Sequence, residues 1–150
     1  MILFMWTRLF APLAIAFFAI NVPPLFGSEV IPGPIHAEVV RVIDGDTFVA
    51  EAHVWPGQKI TVSIRIRGVD APEIRSRCSL EKAAALNARD ELEALIGGTV
   101  VHIRNISGDK YFGRVLADVA TVQGVPVGGS LVKQALARTY DGGQRVSYCG

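Results

Sequence analysis

The sequence predicts an α+β domain: a small barrel of five short strands carrying one long and one short helix. Three observations predict it. Short runs of alternating β-branched residues are separated by Gly- and Pro-containing turns. A strongly helical segment interrupts them after the third run, and a shorter helical segment follows the fifth.

Ala37 to Ile43, rich in valine, reads as the first strand, Asp44-Gly45-Asp46 as a turn and Thr47 to Ala52 as the returning strand. Trp55-Pro56-Gly57-Gln58 turns the chain again. Lys59 to Arg67 is then the third strand, with Ile60, Val62, Ile64 and Ile66 on its apolar face and Arg65 and Arg67 on its polar one. Ser79 to Ile96 is the long helix, with Ser79 as N-cap, Glu81 in the first turn and Gly97-Gly98 as the stop. Ala85, Ala88, Leu92 and Leu95 recur at helical spacing and form its core face. Thr99 to Ile106 and Arg114 to Thr121 are the last two strands, joined by a turn at Gly108-Asp109-Lys110. Gly129 to Ala137 is the short helix, and a polar, Gly-rich tail follows. This order matches a Greek-key barrel of the oligonucleotide-binding type.

The N-terminus is the sharpest break in composition. Leu9 to Ile20 is an apolar run preceded by the single charge of Arg8 and followed by Pro23-Pro24. Such a run is marginal for a bilayer span and typical of a secretory signal. Residues 1–27 are therefore read as a signal peptide or, if uncut, a membrane anchor, 28–36 as a linker and 37–150 as the barrel domain. A periplasmic or secreted monomer is expected, in contact with a membrane only if the leader is retained. The two cysteines, Cys78 and Cys149, suit an exported chain with one disulfide that ties the C-terminus to the segment after Glu73. Residues 36–150 hold 14 basic and 13 acidic side chains. Net charge thus does not mark a nucleic-acid binder, and any phosphate affinity must come from local placement of arginine.

Three stretches carry more chemistry than turns require. Asp44-Gly45-Asp46-Thr47 is a hairpin turn by pattern, yet Asp46 opens the returning strand, where a hairpin needs no acid. Asp70-Ala71-Pro72-Glu73 is a Pro-containing turn with two carboxylates just beyond Arg65. Arg114 begins the fifth strand after Asp109-Lys110-Tyr111-Phe112-Gly113. Carboxylates from two loops with a backbone carbonyl are the oxygen ligands of calcium or magnesium, although the spacing of a helix-loop-helix calcium site is missing. His36, His53 and His102 lack ligand spacing, so zinc is not indicated.

In this order and spacing V-I-D-G-D-T, R-x-x-x-V-D-A-P-E and D-K-Y-x-G-R-V-L-A resemble the thermonuclease (staphylococcal-nuclease-like) family, from about residue 37 to about residue 140. The resemblance implies a barrel that hydrolyses phosphodiester bonds of DNA and RNA, with Ca²⁺ as cofactor and little sequence specificity. It implies Asp46, Asp70 and the Ala71 carbonyl as metal ligands, with Asp44 and Thr47 supporting them. Glu73 resembles the general base, and Arg65 and Arg114 the pair that grips the phosphate. Tyr111 and Tyr140 are candidates for stacking on a base. Phe112 is one residue more than the family's usual Tyr-Gly-Arg spacing, which a bulge can absorb. The alternative is a catalytically silent barrel that binds nucleic acid or a protein partner, for which the retained acids and arginines have no use.

Overall fold

The computed structural model describes residues 29–149, so the leader reading lies outside the described residues. Strands β1 (Ile35–Asp44), β2 (Thr47–Trp55) and β3 (Gln58–Ile66) form an antiparallel meander. A two-residue strand, β4 (Val69–Asp70), follows a turn at Gly68, and helix α1 (Ser79–Ile96) then leads to β5 (Val100–Gly108) and β6 (Arg114–Thr121). β5 pairs antiparallel with β1 and β6, and β6 pairs parallel with β3, closing the barrel in the order β1-β2-β3-β6-β5. This is the five-stranded barrel that the strand pattern predicts. Closure leaves no open edge among the long strands.

Alternation decides what fills the barrel. Phe48, Ile64, Ile66 and Ile103 point inward and are essentially inaccessible to solvent. Helix α1 adds Ala85, Ala88, Leu92 and Ile96; Leu95, read as core, is only half-buried and packs at the core's margin, while Ile96 is fully buried. Ile60, at the far end of β3, is exposed where the strand runs past the core. Each histidine has a protein partner. His36 and His102 stack at 4.6 Å, and His53 lies 2.9 Å from Glu38, beside Lys59 on the barrel exterior.

Strands β1, β2, β3 and β5 begin or end one to three residues from the sequence reading, and larger differences lie at the helices and the tail. The α1 N-cap is Cys78, not Ser79: the Cys78 sulfur accepts the Glu81 N–H at 3.4 Å, and its extended backbone marks the boundary. Helix α2 spans Val127–Lys133 rather than Gly129 to Ala137. Pro126, with its fixed φ, starts it early, and Ala135 at φ 57° ends it. The tail is not a loose end. Strand β7 (Arg138–Thr139) pairs antiparallel with β4, and the Cys78–Cys149 disulfide, closing a separation of 71 residues, fastens the chain next to α1. Among the described residues no helix is long and apolar enough to cross a membrane.

Candidate active site

The β1–β2 turn places Asp46. Its backbone N–H donates to Asp44 Oδ1 at 3.1 Å, an Asx-type contact that fixes the turn, and Thr47 Oγ1 donates to Asp46 Oδ1 at 2.8 Å. Gly45 lets this turn press on its neighbours: a Cβ there would stand 2.7 Å from Ala88 Cβ and 2.8 Å from Ala71 Cβ. Gly45→Ala is therefore expected to push the turn off α1 and to cost about 1–3 kcal/mol, the usual range for overpacking. Urea melts check this, and an unchanged midpoint would count against the contact.

Strand β3 brings Arg65 opposite Thr47. Arg65 Nη1 lies 2.8 Å from Asp46 Oδ2, and Nη2 donates to the Val69 carbonyl at 3.2 Å and reaches Asp70 Oδ1 at 3.5 Å. The Ala71 N–H donates to Asp46 Oδ2 at 3.0 Å, so the two acidic loops are stitched directly together. Asp46 and Asp70 are buried, whereas the Glu73 side chain is exposed at the cleft wall. On the opposite wall Arg114 Nε pairs with Asp109, and the guanidinium lies 4.6 Å above the Tyr111 ring centroid. Phe112 is absorbed outward: its side chain stands wholly in solvent, and Gly113 at φ +79° turns the backbone into β6. Arg114 thereby keeps its place beside β3, opposite Ser63.

An open cleft of about 1150 Å³ connects these parts and is lined by Asp44, Asp46, Thr47, Arg65, Glu73 and Arg114 among others. Ala71, Tyr111 and Tyr140 also face it. Tyr140 Oη donates to the Gly143 carbonyl at 2.7 Å, and its ring centroid is 6.0 Å from Arg65 Cζ. The three predicted stretches, distant in sequence, thus meet in one depression outside the barrel wall.

A family model described as staphylococcal nuclease homologue matches residues 63–147. The chain belongs to the staphylococcal nuclease homologue family. Two relatives, each named uncharacterized endonuclease and found in Escherichia coli and in Escherichia coli O157:H7, are 31% identical over 117 residues. Each comparison covers 78% of this chain and 69% of the relative. The family match begins at Ser63, so Asp46 lies ahead of it and is tied to the matched segment by its contacts with Arg65 and Ala71.

The sequence reading did not single out Arg145, which reaches the heart of the site. Its Nε lies 2.7 Å from Asp70 Oδ1, its Nη2 donates to the Ala71 carbonyl at 2.7 Å, and its Nη1 pairs with Glu73 Oε1. Tyr148 follows it, donating from Oη to the Asp70 carbonyl at 2.6 Å. Burial and the Asp70 carboxylate push that phenol above its ordinary value. A signal for both was present, since a Cys78–Cys149 bridge must bring residues just before Cys149 back toward Glu73.

The convergence on Arg145 tests whether a metal ion fits. An Asp70 oxygen, the Ala71 carbonyl and Glu73 already point at one positive charge, and all are hard oxygen donors of the kind calcium takes. Asp46 completes the set from the adjoining loop, although its oxygens are engaged by Arg65, Thr47 and Ala71. Among the described residues no three His, Cys, Asp or Glu side chains form a ligand cluster. A cation held here would take few oxygens from the protein and would need water and substrate to complete its shell.

Burial pushes the Asp46 carboxyl above 3.8; the Arg65 charge opposes this shift and nearby Asp44 adds to it. A raised value means that the folded chain holds the proton more tightly. The stability this provides is full below pH 3.8 and is lost as pH rises through the higher folded value. In chelator, the stability difference between wild type and Asp46→Asn, which cannot titrate there, is expected to shift against wild type across that window. Urea melts at stepped pH measure it, and a flat difference would contradict the burial argument.

Proposed function

We propose that this protein is a nuclease that hydrolyses phosphodiester bonds in DNA and RNA, using Ca²⁺ and reading little or no base sequence. The observation that carries the proposal is the meeting of Asp46 and Glu73 with Arg65 and Arg114 around one open cleft, with buried Asp70 held against Arg65 behind its wall. Family membership and the relatives' name, endonuclease, support the same class of reaction. The disulfide suits a periplasmic or secreted protein, and export is part of this reading.

Asp46, Asp70 and the Ala71 carbonyl would hold the cation. When bound, calcium would neutralise charge on the phosphate and favour ionisation of water. Glu73, the exposed carboxylate of the set, takes the proton of the attacking water as its oxygen bonds to phosphorus and the bond to the leaving oxygen breaks. Arg65 and Arg114 donate to the non-bridging oxygens, where charge grows in the transition state. Arg65 suits this part because it lines the cleft while Asp46 and Asp70 hold its guanidinium in place. Tyr111 and Tyr140 flank the cleft and offer ring faces to unpaired bases. These contacts position phosphate and base without reading base edges, hence the low specificity.

The test is digestion of single- and double-stranded DNA and of RNA by the purified protein, in millimolar calcium and in chelator. Degradation that requires calcium is expected. Intact nucleic acid in both conditions would leave only a binding module.

A further inference from the structure

Arg145 occupies donors that a cation would need. Its nitrogens stand 2.7 Å from both Asp70 Oδ1 and the Ala71 carbonyl, where an ion bound at about 2.3–2.6 Å from the same oxygens would have to sit. A guanidinium and a divalent cation cannot share that position, since each excludes the other by volume and by charge. The third nitrogen holds Glu73, the carboxylate assigned as base.

The segment that presents Arg145 is fastened at both ends. Before it, β7 pairs with β4, and the Tyr140 N–H donates to the Gly68 carbonyl at 2.9 Å. After it, Tyr148 bonds to the Asp70 carbonyl with Arg138 stacked 3.9 Å above its ring, and Cys149 is bridged to Cys78. Between the anchors lie Gly142 and Gly143, both at positive φ (99° and 91°), a pair that can re-aim the backbone at little steric cost. Double anchoring keeps the guanidinium at high effective concentration beside the acids, so it competes as an intramolecular ligand.

We propose that Arg145 is a tethered competitor for the cation. Without metal it neutralises Asp70 and Glu73; a divalent ion expels it, lifts residues 141–147 away and frees the Glu73 carboxylate. The base is thereby withheld until the cation has arrived. This rests on the cation site proposed above.

Calorimetric titration of the full chain with calcium alone, without nucleic acid, tests the proposal in wild type, Arg145→Gln and Arg145→Lys. Arg145→Gln is expected to bind calcium about 10- to 100-fold more tightly, the span that hydrogen bonds between charged groups supply. Arg145→Lys, which keeps the charge but loses the planar fork, should fall between. In wild type, calcium is also expected to speed amide hydrogen exchange over residues 141–147. Equal or weaker calcium binding by Arg145→Gln would overturn the competitor while leaving the cation site intact, as would slower exchange of the strap on calcium addition. No calcium binding by any of the three proteins would remove the cation site itself and this role with it.

Discussion

Glu73→Gln is expected to slow phosphodiester hydrolysis by about 10²–10⁴-fold, the usual value of a positioned general base. Glutamine preserves the shape and hydrogen-bonding reach of the side chain but cannot accept the proton of the attacking water. Structural damage is a poor alternative explanation, because the Glu73 side chain is 57% exposed and supports no part of the core. Its substitution should leave the free energy of unfolding within about 0.5 kcal/mol of wild type, as for most surface positions. Initial rates on single-stranded DNA at saturating calcium measure the effect. A rate within a few-fold of wild type would take Glu73 out of the proton-transfer step.

Arg114→Lys is expected to cost about 10²–10³-fold, chiefly in kcat, comparable to losing one donor aimed at a developing oxyanion. The charge is conserved, so simple attraction of the polyanion survives; what disappears is the rigid fork. Arg114 is held for that use, clamped by Asp109 below and by the Tyr111 ring at 4.6 Å. A lysine ammonium has no planar face to lay on the ring and only a point charge to offer. Steady-state kinetics separate the possibilities. A rise in KM with unchanged kcat would mean that Arg114 binds substrate and transition state alike, which is not the proposed role.

The barrel was legible because its rules are local. Alternation of Val and Ile set the inward faces, and Asp-Gly and Pro-Gly marked the hairpins. Gly97 ended α1 where the helical spacing stopped. Placement of Asp46, Arg65 and Arg114 around one cleft, with Asp70 beside Arg65, followed once those strands were in order. The shifted ends have equally local causes: a disulfide sulfur took the capping role expected of Ser79, and Pro126 and Ala135 reset α2. Arg145 and Tyr148 were not legible from periodicity. A strap with two glycines and no repeating pattern gains its shape from its anchors, one a two-residue strand pairing and the other a covalent bridge, both formed with partners far back in the chain. Phe112 shows the reverse case, an extra residue that tertiary context ejects into solvent without moving Arg114 off its strand.

The central claim is that side chains from separated segments serve one transition state, and a double-mutant cycle between Glu73 and Arg114 tests it most directly. If both act on the same phosphoryl centre, Glu73→Gln combined with Arg114→Lys should be little slower than the worse of the two single variants, as for groups that function as a unit. If the two losses simply multiply, the residues act independently, and the single site proposed for this cleft is contradicted.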